Sequence, residues 1–403
     1  MSNFLSLPAN ELPRRRVVSI DTFRGITILV MIFVNEVAGM RAIPLWMKHM
    51  PADADAMTFV DMVFPSFLFI VGMSVPFALQ NRLSKGDSAV QIQGHILFRT
   101  LGLLTLGLFM VNAETDFNAA ATGMSVHVWS LGFIASAILV WNIYRFQNPV
   151  WKYVLRGLGV AGLLVLAIVY RGGDGSERMQ THWWGILGLI GWAYLYTSLG
   201  YQLVQGKVAG LLVLIAVCIG VFVVSQSSWS ANPWLRWTGS QAGNATHTAI
   251  ALCGTITSLL FFDQKTVQSN QRQFLEVAAL AFVLLLVGYL LRPYYAISKI
   301  YATPTWGLYS AAASCLLFSL LYALVDVGNN KGWTAFFQPA AANPLLTYII
   351  PSILYAIFGL LDFYPAPESF QSGVLGMVWA AFFAIAIMGF VHLLNRIGIR
   401  LQL

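Results

Sequence analysis

Charge is sparse in this chain. Only 10% of its 403 residues are Asp, Glu, Lys or Arg, 58% are hydrophobic, and the mean hydropathy is +0.71. A water-soluble fold cannot hide that much apolar surface, so a soluble enzyme is excluded and a polytopic membrane protein is expected. Cysteine is scarce: Cys218, Cys253 and Cys315 all fall in apolar runs, with no metal-ligand spacing and no disulfide framework. HxxxH and HExxH are absent, and His49, His127, His182 and His247 come from four different segments, so no metal centre is expected. The net charge is +7, but the basic residues are scattered between apolar runs and form no stripe among exposed aromatics. That argues against nucleic acid as a partner and for charge as a topology signal.

What the chain has in quantity is long apolar runs. A span needs roughly 20 apolar residues, and twelve segments qualify: 22–40, 58–80, 96–113, 127–144, 153–170, 183–204, 208–226, 245–262, 272–292, 305–326, 341–360 and 373–394. With the N-terminus inside, sixteen Lys and Arg fall on the inner side, including Arg14, Arg15, Arg16, Arg24 and Arg145. Seven fall outside: Arg41, Lys48, Arg171, Arg178, Arg236, Arg292 and Lys299. This asymmetry predicts an all-α transmembrane bundle of about twelve spans with both termini cytoplasmic. Residues 1–16 are polar, and no small-residue cleavage site follows them, so the first span reads as an uncleaved anchor. The connections are too short for a soluble domain, and residues 1–403 are expected to form one integral membrane domain.

Polar residues inside spans are costly and therefore informative. Asp21 and Arg24 stand at i and i+3 in SIDTFRG, on one helical face. Asn35 follows Arg24 by eleven residues, close to the same stripe and ~16 Å further along at ~1.5 Å per residue. A helix cap and a topology signal explain Asp21 and Arg24 equally well, and Asn35 alone suits helix packing. His49 lies beside Lys48 in the following loop, and Asp61 opens the second span just before Pro65. Imidazole, carboxylate and amide at one membrane face form a general-base constellation. Twelve spans with intramembrane polar residues suit a secondary transporter of a small polar or sugar-like solute as well.

The ordered segments RVVSIDTFRGITILVMIFVN, WMKHMP and TFVDMVFPSFLFIVGMS, followed by SKIYATPTWGLYSAAAS, LYALVDV and PAAANPLLTYII, resemble the heparan-α-glucosaminide N-acetyltransferase family and its bacterial relatives. The resemblance covers about a third of the chain, densest over 16–80. It implies a multi-pass acyltransferase of the bacterial inner membrane that moves acetyl from cytosolic acetyl-CoA to an amino sugar or cell-envelope glycan outside. His49 corresponds to the family's catalytic His, as base or transient acetyl carrier, with Asn35 and Asp61 beside it. Asp21, Arg24, Lys48 and Asn343 would bind the acetyl donor. A homodimer is also implied. The middle of the chain, THWWGILGLIGWAYLYTSLG, departs from the family pattern, and the long luminal segment is missing; both bear on the acceptor more than on the donor.

Overall fold

The computed structural model describes residues 10–13, 16–144, 148–266 and 269–401. Arg14, Arg15 and Arg145, which contribute to the charge asymmetry, lie outside the described residues. All twelve predicted segments are helical. They are α1 (Val18–Ala38), α2 (Phe59–Ser84), α3 (Ala89–Glu114), α4 (Val126–Trp141), α5 (Pro149–Val169) and α6 (Ile186–Leu203). These are followed by α7 (Val208–Gln226), α8 (Trp237–Phe262), α9 (Asn270–Leu291), α10 (Pro304–Tyr322), α11 (Pro344–Leu360) and α12 (Gly373–Arg396). Extended pairing among the described residues is limited to isolated bridges.

Among the described residues, nine of these helices are long and apolar enough to cross a membrane, and ten if α11 is joined to the bent helical segment before it. The predicted count of twelve is therefore higher than length and composition support. Helix α4 has 16 residues, short for a bilayer crossing. Helix α6 carries Gln202 buried within it, where it accepts from Gln93 Nε2 at 2.7 Å. The protein is an all-α polytopic membrane bundle.

Two compact units divide the chain. The first comprises Met1–Thr27, Pro44–Leu97 and Trp192–Gln338; the second comprises Ile28–Ile43, Phe98–Gly191 and Pro339–Leu403.

The first unit is organised on α2 and α8. A Cβ on Gly72 would lie 1.7 Å from the Ala251 carbonyl oxygen, and one on Gly254 would lie 1.9 Å from that of Phe69. Only glycine at both positions lets the two backbones approach so closely. Helix α2 contains Pro65 and Pro76, each of which removes the amide that would bond the carbonyl four residues back. In hydrocarbon such an orphaned carbonyl must find another donor. Both do. Trp306 Nε1 donates to the Asp61 carbonyl at 3.1 Å, and Thr255 Oγ1 donates to the Gly72 carbonyl at 2.9 Å. After α10 the chain relaxes into a π turn, Ala323–Val327, from which Asp326 accepts the Ser19 amide at 3.0 Å. That bond satisfies one of the unpaired amides of the first turn of α1.

The second unit holds α4, α5, α11 and α12. Trp129 is fully buried in it, stacked on Phe109 and donating from Nε1 to the Leu166 carbonyl at 3.0 Å. The C-terminal segment is tied down through Asn343, whose Nδ2 donates to Asn395 Oδ1 at 3.1 Å and to the Ile399 carbonyl at 3.0 Å. Its Oδ1 accepts the Leu401 amide at 3.2 Å.

Candidate functional site

Asp61 sits at the third position of α2 and closes a capping box with Thr58. Its Oδ2 accepts the Thr58 amide at 3.1 Å and the Met50 amide at 3.2 Å, while Oδ1 faces His49 Nδ1 at 2.7 Å. Asp61 is 1% exposed and the His49 side chain 39%, so a fixed carboxylate holds a ring that solvent can still reach. A carboxylate oxygen at Nδ1 favours the tautomer protonated there, leaving the Nε2 lone pair available. The Thr58 hydroxyl donates to the Lys48 carbonyl at 2.8 Å. Lys48 thus shapes the loop through its backbone.

Lys299 completes this cluster. Its Nζ lies 3.1 Å from both His49 nitrogens. A donor in the ring plane could not be equidistant from both without striking Cε1, so the ammonium lies over the ring. Lys299 belongs to the loop between α9 and α10. Burial pushes its ammonium down to about 8, with the Asp61 carboxylate pulling the other way. Asp55 anchors that loop: Arg292 Nε reaches its carboxylate at 3.2 Å and the Ile297 amide donates to it at 2.8 Å. The Ile297 amide chiefly, helped by Arg292, holds the Asp55 carboxyl below the usual carboxylate range against the opposing effect of desolvation. Behind the site His247 is 4% exposed, edge-on to Phe64 and to the same Trp306 that serves Asp61. Among the described residues, no group of three or more His, Cys, Asp or Glu is arranged to hold a metal.

At the start of α1, a cavity of about 450 Å³ is lined by Arg16, Asp21, Arg24, Ser74 and Asn81, with apolar walls that include Phe77. Asp21 bridges two guanidinium groups, Arg24 at 3.1 Å and Arg16 at 3.0 Å, and Arg24 also donates to Ser74 Oγ at 2.8 Å. The Arg24 side chain is 19% exposed and that of Arg16 66%. Paired guanidinium groups beside an apolar wall are the chemistry that holds phosphate next to a hydrophobic chain. Ser74 and Asp61 are thirteen residues apart on α2, or ~20 Å at ~1.5 Å per residue. Asn35 lies in the second unit, where it lines a different cavity with Glu36 and Tyr355.

Comparison with known proteins bears on this arrangement. A family described as a domain of unknown function (DUF5009) matches residues 16–242, more than half of the chain. The chain belongs to the DUF5009 family. Over 98 residues it is also 38% identical to the heparan-alpha-glucosaminide N-acetyltransferase of Homo sapiens and 35% identical to that of Mus musculus. Each match covers 24% of this chain and 14% of the relative, so the shared part is a small fraction of those longer proteins. The relationship to these N-acetyltransferases expected from DTFRG, KH and VDMVFP is therefore real.

Within this DUF5009 chain the structure brings His49 to Asp61 and Asp21 to Arg24, each pair on neighbouring parts of the first unit. Sequence reading missed Lys299, Arg16 and Ser74. Lys299 stands second in SKIYATPTWG, and the Trp of that segment bonds the Asp61 carbonyl. The motif was visible, but its contact with a loop 250 residues away was not. Ser74 carries no local signal, because a serine one position before VPF in an apolar helix reads as packing.

Proposed function

We propose that this protein is a membrane acetyltransferase that takes acetyl from cytosolic acetyl-CoA and delivers it to an amine of an amino sugar or cell-envelope glycan outside a bacterial inner membrane. The observation that carries the reading is the buried Asp61 carboxylate on His49 Nδ1 with Lys299 over the ring. A base carried on a loop at the membrane face needs such an anchor, whereas a merely solvated histidine does not.

The acceptor amine attacks the thioester carbonyl carbon, forming the N–C bond, and His49 Nε2 takes the proton released. The C–S bond then breaks, CoA leaves as thiolate, and His49 returns the proton to sulfur. Asp61 keeps the imidazole in the useful tautomer and balances the transient imidazolium. Lys299 supplies positive charge where the carbonyl oxygen becomes negative. Arg16 and Arg24 would hold the phosphates of the donor, with the acyl arm extending along the length of α2. Lys48 contributes to the loop that carries His49, and Asn35 and Asn343 enter the proposal from the family resemblance alone.

The test is His49→Ala in detergent-purified protein. Acetyl transfer to glucosamine should fall by about 10²–10⁴-fold, while the rise in melting temperature caused by acetyl-CoA persists. Undiminished transfer by the variant sinks the assignment of the base. Absence of any acetyl-CoA stabilisation, with stabilisation by a transported solute in its place, moves the protein to the transporter class.

A further inference from the structure

Apart from the His49 cluster and the arginine-lined cavity, the second unit contains a cavity of about 350 Å³, within the range of about 300–1,000 Å³ typical of small-molecule sites. Its lining includes Asn35, Glu36, Glu114, Tyr348, Tyr355 and Tyr364, and contains no Lys, Arg or His. Glu36 is 8% exposed. Its Oε1 accepts from Trp379 Nε1 at 3.0 Å, and its Oε2 accepts from the Tyr355 hydroxyl. Two neutral donors, one on each oxygen, solvate a carboxylate. Among the described residues no cation pairs with it.

A buried carboxylate without a countercharge is costly in a membrane protein and marks a functional position. Each carboxylate oxygen has a second lone pair, so two neutral donors leave Glu36 able to accept more. The tyrosine walls add to this. Tyr355 and Tyr364 stack nearly parallel, at 18° between their planes, and the face of an aromatic ring attracts a cation. Glu114 adds a second, more exposed carboxylate to the lining, while Asn35, Ser352 and the phenols offer partners for hydroxyl groups.

We propose that this cavity binds a small hydroxylated organic ammonium ion, with Glu36 as the counterion to its nitrogen. An amine acceptor would be one such ion, and to that extent the inference rests on the reading above; the binding itself requires no transfer.

Isothermal titration of the full chain in nanodiscs, at fixed ionic strength and neutral pH, tests it with glucosamine, glucose, N-acetylglucosamine and ethanolamine. Glucosamine should bind on the order of tenfold more tightly than its two uncharged analogues. E36Q should abolish that preference, and E114Q should reduce it less. Binding of glucosamine together with ethanolamine identifies a general ammonium site; binding of glucosamine alone identifies an aminosugar site. Equal affinity for glucose and glucosamine in the wild type, a comparison that needs no variant, overturns the proposal, as does an E36Q protein that keeps the preference. The two readings fail separately. Ammonium binding without acetyl transfer sinks only the enzyme, and transfer without charge preference sinks only this site.

Discussion

At its N-terminal end α2 holds Asp61 by two backbone amides and an imidazole, and a tryptophan from α10 covers the carbonyl of the same residue. Thirteen residues on, it gives a single hydroxyl, Ser74, to an arginine that lines an open cavity. The first end is a fixed point, with its charge buried and both carboxylate oxygens and the carbonyl hydrogen-bonded. The second keeps guanidinium groups partly in solvent, where an anionic ligand can still reach them. A catalytic base needs rigid geometry, whereas a docking site for a polyanion needs accessible charge. The contrast teaches which residues should move the chemistry and which the affinity.

The sharpest way to break that division is at the docking end. Arg24→Gln should raise the KM for acetyl-CoA by about 10–100-fold, the loss of one charge-assisted contact, with kcat changed far less; steady-state kinetics separates the two. An Arg24→Gln protein with normal KM and depressed kcat would reverse the roles given to the two ends.

At the fixed end the effect is read against pH. Lys299 is cationic below about 8 and loses its charge as pH rises through that value. Activity that uses the ammonium should therefore fall on the alkaline side around pH 8. Lys299→Met should remove that limb and lower kcat by roughly tenfold or more. If the limb survives the substitution unshifted, it belongs to another group.

The smallest expected effect concerns the carbonyl of Asp61. Trp306→Phe removes its donor and should cost about 1–3 kcal/mol of stability. Pro65→Ala restores the helical amide, so the double variant should recover about 1 kcal/mol of that loss in a thermal or denaturant double-mutant cycle. Strict additivity would show that the indole acts by packing alone.

The helical class and the position of every long helix were legible in the sequence, because apolar run length is a one-dimensional signal. The span count was less so: among the described residues length and composition qualify nine or ten helices as spans, and neither the 16-residue α4 nor α6 is among them. Asp61 and His49 were legible because twelve residues of loop and helix start bring them together. Lys299, Ser74 and Asp326 were not, since each meets its partner across 50 to 307 residues of chain, and only the packing of helices creates those contacts. The prolines show the same divide. Pro65 and Pro76 announce orphaned carbonyls at Asp61 and Gly72, but nothing local says that Trp306 and Thr255 will answer them.

Asp61 closes the first turn of α2 with the same carboxylate that meets His49. Its two duties cannot be separated by mutation, and selection acting on the lineage meets the same constraint. A descendant relieved of any chemical task would be free to discard the imidazole, which caps nothing, but would still need the acid to begin its second helix. In such a lineage the aspartate should outlive the histidine.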